Sequence, residues 1–164
     1  MALDIKIKTN TKQISKRYSR LQSKFPKIFD KGLLQAGFHL LDIIRTKTAK
    51  GIDFRDVPFA SYSESYRKQL QREGKPIKVD LFYSGRMLGA LTPSGRTIRK
   101  TGKGKISVGF SNAQMRQRAL FNQVLNEPKR EFFGFNNRTE KIISKQFNRF
   151  VEKELRKLQD NLFN

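Results

Sequence analysis

Few side chains in this sequence could act in catalysis or hold a metal ion. There is one histidine, His39, and there is no cysteine. Catalytic nucleophiles need a neighbouring base, and metal sites need clustered His, Cys or carboxylate ligands. Asp53 and Asp56 share a short stretch, but solvated loop carboxylates explain them better than a cation site does. His39 lies in a helical pattern with no motif around it. We therefore expect a binding or assembly protein rather than an enzyme.

One glycine-rich stretch, Thr101-Gly-Lys-Gly-Lys, superficially looks like a phosphate-binding loop. It lacks the Gly-x-x-x-x-Gly-Lys-Ser/Thr spacing of such loops, and no helical pattern follows it. The flanking residues 97–100 and 105–110 have the character of two strands, so a hairpin turn explains Gly102 and Gly104. The sequence predicts no nucleotide site and no cofactor.

The strongest chemical signal is basic charge. The chain of 164 residues has 35 Lys and Arg against 14 Asp and Glu, a net charge of +21 at pH 7. A field of this size favours nucleic acid, an anionic membrane surface or an acidic protein face. No acidic residue occurs from 81 to 126. The densest part of this interval, the predicted hairpin, carries the basic residues Arg96, Arg99, Lys100, Lys103 and Lys105.

Three interpretations of this basic hairpin stay open. Lys and Arg beside flexible glycines could contact a DNA backbone without reading its sequence. The same charges could face an acidic surface on a connecting protein. An exposed turn kept in solution by its charge would have the same composition.

The elements that must position these residues follow from hydrophobic periodicity. Residues 3–8 alternate as a short strand does, and residues 11–24 and 27–50 have helical spacing. Pro26 suits the first turn of a helix, which predicts a break near Phe25. Ser61-x-x-Glu64 predicts the start of a helix that ends near residue 73. Residues 83–91 are compatible with a short helix in which two glycines, Gly85 and Gly89, permit close approach.

The second half of the chain continues with helical patterns. Asn112 predicts the N-cap of a helix that ends near Leu125. Asn137-x-x-Glu140 predicts the start of a long final helix. An apolar stripe follows, made of Ile143, Phe147, Phe150, Leu155, Leu158 and Leu162.

These elements predict an α+β fold, in which a small antiparallel sheet packs against several helices, with long N-terminal and C-terminal helices. We expect a single domain over residues 1–164. Its parts are an N-terminal strand and helices (1–50), a core with the basic hairpin (51–135) and a C-terminal helix (136–164). No apolar stretch approaches the roughly 20 residues that span a bilayer, and no signal peptide is apparent. We expect a soluble intracellular protein without a membrane partner.

Five short motifs follow one another between residues 59 and 135. They are Phe59-x-x-Tyr62-Ser63, Asp80-Leu81-x-x-Ser84-Gly85-x-Met87-Leu88, Ile106-Ser-Val-Gly109-Phe, Arg118-Ala119-x-x-Asn122-Gln123 and Arg130-x-Phe132-Phe133-Gly134-Phe135. In this order they resemble motifs of the tail-completion and virion-morphogenesis proteins of tailed bacteriophages, which include head–tail joining and neck proteins. The resemblance covers about residues 50–160. Asn122 stands where that family often has His, Arg118 replaces the usual Tyr, and no Gly follows Gln123.

The resemblance implies a structural protein without catalysis, which forms a homo-oligomeric ring, commonly six-fold. Its expected partners are other copies of itself, a head connector or adaptor protein, a tail terminator or tail tube protein, and viral DNA in the ring's lumen. The expected location is the virion, at the tail or the head–tail interface, after assembly in the host cytoplasm. The alternative is a free-standing, non-specific nucleic-acid-binding protein, for which charge is the whole argument.

Within the motifs, the residues expected to shape the fold or an interface are Tyr62, Ser63, Leu81, Ser84, Gly85, Leu88, Gly109, Ala119, Gln123, Arg130, Phe132, Phe133 and Gly134. We expect Phe132, Phe133 and Phe135 to pack in the core. We expect Arg130 to pair with a carboxylate, inside the fold or across a subunit boundary.

Overall fold

The computed structural model of the chain describes residues 11–82, 84–92 and 97–163. This part contains five α-helices and one antiparallel hairpin, so the predicted α+β class is confirmed. The elements are α1 (Thr11–Ala49), α2 (Glu64–Arg72), α3 (Arg86–Gly89), β1 (Ile98–Gly102), β2 (Lys105–Val108), α4 (Ala113–Leu120) with a π-helical turn (Phe121–Leu125), and α5 (Asn137–Phe163). The predicted strand at residues 3–8 lies outside the described residues.

Helix α1 is continuous through Pro26, so the predicted break near Phe25 is wrong. A proline inside a helix loses one backbone hydrogen bond and costs about 3 kcal/mol. Tertiary packing on one side of Pro26 offsets this cost. The ring of Phe29 lies 6.2 Å from that of Phe25 and 5.1 Å from that of Phe147 on α5, the latter edge-on. The helical pattern predicted to end at residue 50 is confirmed at that end to within one residue, since α1 ends at Ala49 and Gly51 follows with a φ of +80°.

Two glycines of α1 allow the other elements to approach closely. A Cβ atom at Gly32 would lie 2.9 Å from the ring of Phe147, and one at Gly37 would lie 3.0 Å from Ile106 of the hairpin. Lys47, near the end of α1, donates a 3.2 Å hydrogen bond to Thr139, near the start of α5. The two long helices therefore run antiparallel, and the hairpin also packs against α1, along the stretch from Phe29 to Gly37.

The core lies between α1, α3, α4 and the segment that precedes α5. Its buried members are Leu41, Ile44, Met87, Leu88, Leu91, Met115, Ala119 and Phe132. The apolar stripe predicted for α5 is half-buried or buried from Ile143 to Leu158, which confirms its helical spacing. The hairpin is antiparallel, with Ile98 opposite Val108.

Two helix starts differ from their predictions. The N-cap of α2 is Ser63, whose hydroxyl accepts a hydrogen bond from the Tyr66 N–H, rather than Ser61. The side chain of Asn136, one residue before the predicted cap of α5, accepts from the Thr139 N–H at 2.9 Å. The cap of α4 at Asn112 is as predicted, with a 3.2 Å hydrogen bond from the Met115 N–H.

A carboxylate ties the loop after α1 to both long helices. Asp56 lies 2.7 Å from the Lys47 ammonium group and accepts a 2.7 Å hydrogen bond from Asn136. These two hydrogen bonds, first that of Lys47 and then that of Asn136, hold the pKa of Asp56 below its usual value. The native state thus binds this proton less tightly than the unfolded chain does.

Asp56 therefore stabilises the fold above the pKa of about 3.9 that Asp has in unfolded chains, and this contribution is lost as the pH falls through the native pKa. We expect Asp56→Asn to have a flatter pH dependence of the free energy of unfolding between about pH 5 and about pH 2. Urea denaturation at several pH values measures it, with Asp160→Asn on the exposed outer side of α5 as the control. Parallel pH profiles for Asp56→Asn and the unmodified protein would contradict the prediction.

Candidate functional site

Residues of four motifs meet around one cleft of about 430 Å³. Tyr62 and Ser63 come from the start of α2, and Leu81, Ser84 and Gly85 come from the turn before α3. The last two motifs contribute three more lining residues, which are Arg118, Asn122 and Arg130. The cleft is therefore built from segments that are up to 68 residues apart in the sequence.

Arg130 is the centre of this arrangement and is only 7% exposed. Its guanidinium group donates hydrogen bonds of 3.2–3.3 Å to the backbone carbonyls of Ala60 and Ser61. It also lies over the ring of Tyr62, 4.9 Å from the ring centroid. The prediction of a carboxylate partner inside the fold is wrong, because the carbonyls before α2 occupy these donors.

The aromatic side of the cleft is held by two tyrosines. The rings of Tyr62 and Tyr66 meet edge to face with centroids 4.9 Å apart. Burial raises the pKa of the Tyr62 phenol above its usual value, with a smaller contribution from Tyr66. At neutral pH the Tyr62 phenol is therefore uncharged where it faces the Arg130 guanidinium group.

The side chain of Gln123 connects the fourth motif to the fifth. Its side-chain amide donates to the carbonyl of Phe133 at 2.9 Å and accepts from the N–H of the same residue at 3.0 Å. This pair fixes the segment 132–134 beside the π-helical turn. Gly134 is required there, because a Cβ atom would lie 2.9 Å from the ring of Phe54.

The three phenylalanines of the last motif have different environments. Phe132 is 1% exposed in the core, and Phe133 is half-buried with its ring centroid 5.7 Å from that of Phe110. Phe135 is 55% exposed, so its predicted place in the core is wrong. It lies between Gly134 and the start of α5 at Asn137.

The remaining motif residues are structural. Leu88 and Ala119 are buried in the core. Gly85 has a φ of +67°, and a Cβ atom there would lie 2.9 Å from the ring of Phe82. Gly109 extends the hairpin pairing by donating to the Thr97 carbonyl at 2.8 Å. The close approach predicted at Gly89 is wrong, because a Cβ atom there would meet nothing within 4 Å.

The basic hairpin is docked on α1 rather than standing free. Lys100 forms an ion pair with Asp30 of α1, so its charge is compensated within the chain. Gly104 at the turn lies beside Phe29, where an added Cβ atom would be 3.4 Å from the ring. The side chains of Arg99, Lys103 and Lys105 are exposed, and Arg96 lies outside the described residues.

Sequence reasoning missed two exposed surfaces. An apolar patch on α4 and the π-helical turn, which we call the 120–125 patch, consists of Leu120, Phe121, Val124 and Leu125, each 44–56% exposed. At the start of α1, Ile14 and Tyr18 are 47% and 63% exposed. Their spacing of four residues was the available signal, but periodicity marks an apolar face without saying whether anything covers it.

A third surface, the basic face of α1, falls in a stretch that predicts a basic helix, but it was not among the predicted site residues. The interval 5–29 holds eight basic residues without one acid, whereas the acid-free interval 81–126 holds eight in 46 residues. Basic density was therefore almost twice as high in the N-terminal interval.

The described ranges were also compared with two other kinds of feature, a membrane-spanning helix and a metal-binding cluster. None of their helices is long and apolar enough to cross a membrane. Within the same ranges, His, Asp and Glu form no group of three or more that could hold a metal ion. No family model matches this sequence, and no curated protein and no solved structure matches it.

Proposed function

We propose that this chain is a structural virion protein of a tailed phage, which completes the tail or joins the tail to the head as part of a homo-oligomeric ring around the DNA channel. The observation that carries the proposal is the cleft around Arg130 and Tyr62. Residues of four motifs, distant in the sequence, contact one another or line the same cleft. Four of the five ordered motifs thus contribute to one local arrangement, as expected if the resemblance reflects a common structure.

The exposed apolar surfaces support self-association. The 120–125 patch adjoins the cleft through Phe121, which lines it. Ile14 and Tyr18 form a different apolar surface on α1. A ring needs a heterologous contact, in which two different surfaces of the same chain meet. A net charge of +21 opposes such contacts, so salt should strengthen the assembly by screening the repulsion.

Analytical ultracentrifugation and negative-stain imaging of the purified chain test the ring. We expect closed rings whose fraction rises with protein concentration and between about 0.1 M and about 0.5 M salt. The double variant Phe121→Ser with Val124→Ser should shift the mass to the monomer. The matched control, Val57→Ser with Ile77→Ser, changes two exposed apolar residues elsewhere and should leave the ring intact. A chain that stays monomeric in all conditions, also with a head connector, would contradict the proposal.

The alternative, a free-standing nucleic-acid-binding protein, is favoured by the basic part of α1, where residues 11–29 contain six Lys and Arg and no acid. Such a protein binds duplex DNA as a monomer, with an affinity that falls steeply as salt rises. A discrete complex of one monomer with DNA, and no ring at any salt concentration, would favour this alternative.

A further inference from the structure

The outer face of α1 carries six cations in one row, which we call the basic stripe. It consists of Lys12, Lys16, Arg20, Lys24, Lys27 and Lys31, all exposed. Steps of three or four residues keep these side chains within an arc of about 120° and spread them over about 28 Å of helix. The other residues on this arc are Gln13, Ser23 and Asp30.

The carboxylates beside the basic stripe are engaged by other lysines. Asp30 is bound by Lys100 of the hairpin. Lys24, Lys27 and Lys31 line a shallow groove of about 370 Å³ together with Glu154 of α5. Glu154 lies 2.7 Å from Lys157, and this contact is the main cause of its lowered pKa. Lys31 also interacts with Glu154, so the field is reduced at this end of the stripe. None of the other five cations forms an ion pair with a carboxylate of the described residues, so their positive field is largely uncompensated within the fold.

The cations of α5 provide an internal comparison. Lys141, Lys145 and Arg149 also follow helical spacing, but they line a groove that contains Glu140 and Glu152. Their field is partly cancelled by these neighbours. Both long helices are basic. They differ in where their acidic residues lie relative to the cations.

We infer that the basic stripe binds the sugar–phosphate backbone of a nucleic-acid duplex. Cations four residues apart are about 6 Å apart along a rigid helix. A length of 28 Å corresponds to about eight base pairs, since duplex DNA rises about 3.4 Å per pair. Contacts of this kind position a protein on the duplex without reading its sequence.

The composition of the stripe argues against two other anionic partners. No aromatic side chain lies between its cations, so the face offers no platform on which single-stranded bases could stack. A helix that binds a membrane surface places apolar side chains into the lipid beside its cations. Around Phe29, Gly32 and Gly37, the apolar side of α1 packs against α5 and the hairpin instead.

The inference deepens the proposed function. It rests on that proposal in one respect, namely that the duplex is the viral DNA in the ring. It also places the main contact on α1, while Arg99, Lys103 and Lys105 of the docked hairpin flank it. Binding and assembly are read out separately in the test, so one can fail while the other holds.

The test compares two variants with the same net charge. The stripe variant replaces Lys12, Lys16, Arg20, Lys24, Lys27 and Lys31 by Gln. The control variant replaces Arg138, Lys141, Lys145, Arg149, Lys153 and Arg156 of α5, all exposed, by Gln. Gln has nearly the helix propensity of Lys and Arg, so both helices should persist. Fluorescence anisotropy with a duplex of about three helical turns measures the affinity at several salt concentrations.

We expect the stripe variant to lose affinity on the order of 100-fold or more. The plot of log affinity against log salt should become shallower, with the magnitude of its slope reduced by about five. The α5 control should lose far less. Circular dichroism and sedimentation should show an unchanged fold and assembly. If the full variant does not fold, the smaller change of Lys12, Lys16 and Arg20, in exposed turns, should still reduce the slope by about two to three.

Three results would overturn the inference. One is an equal loss of affinity in both variants, which would mean that diffuse charge accounts for binding. Another is unchanged duplex binding in the folded stripe variant. The third is a stripe variant that keeps its duplex affinity but loses binding to polyglutamate or to vesicles of anionic lipid, since the stripe would then serve an acidic protein or a membrane.

Discussion

Phe132→Ala should lower the free energy of unfolding by about 3–5 kcal/mol, because it removes a buried ring and leaves a cavity among well-packed neighbours. Phe132 is 1% exposed, and its ring centroid lies 6.4 Å from that of Phe110 and 6.2 Å from that of Phe133. The loss is large for a domain of ordinary stability, which is about 5–15 kcal/mol. Denaturation in urea, followed by circular dichroism, measures it.

The matched control is Phe135→Ala, three residues away. Phe135 is 55% exposed, and its removal should change the stability by less than about 0.5 kcal/mol. Equal effects of the two substitutions would contradict the placement of Phe132 in the core. A selective loss of assembly in Phe135→Ala, at unchanged stability, would identify its ring as part of an interface.

Arg130→Met should cost about 3 kcal/mol or more. The substitution removes charge-assisted hydrogen bonds to the carbonyls of Ala60 and Ser61 and the contact with the Tyr62 ring. The two carbonyls would then lack these donors in a half-buried site. Because they immediately precede α2, we also expect the first turn of this helix to exchange its amide hydrogens faster. Urea denaturation and hydrogen exchange measure the two effects.

Two further substitutions separate the role of shape from that of charge. Arg130→Lys keeps the charge but loses the planar, forked group that reaches both carbonyls and stacks on an aromatic ring. It should recover only a small part of the lost stability. Lys129→Met, at the exposed neighbouring position, should be nearly neutral. Full stability of Arg130→Lys would show that the fork is not needed.

Much of the fold could be predicted because its signals are local. The alternation of Ile106 and Val108 with polar residues, the Asn112 cap and the stripe from Ile143 to Leu158 each depend on residues close in the sequence. The continuity of α1 could not be predicted in this way. It depends on contacts such as that of Phe29 with Phe147, which lies 118 positions further along the chain.

The site was predicted less completely for the same reason. The motif residues could be named from their order, but the partners of Arg130 are backbone carbonyls, which every residue has and no sequence pattern marks. The pairing of Lys100 with Asp30 joins residues 70 positions apart, and it redistributes the charge between the hairpin and α1. Phe132 and Phe135 have the same side chain but are 1% and 55% exposed, and composition alone cannot distinguish them.

The unbroken course of α1 through Pro26 has a mechanical consequence. From Leu41 in the core to Lys12 near its other end, the helix extends about 44 Å. A rod of this length acts as a lever, so a tilt of about 10° at the core end would move its tip by about 8 Å. The close contacts at Gly32 and Gly37 fix the angle of α1 relative to α5 and the hairpin. Small changes in packing at these two points would therefore decide where the far end of the rod lies.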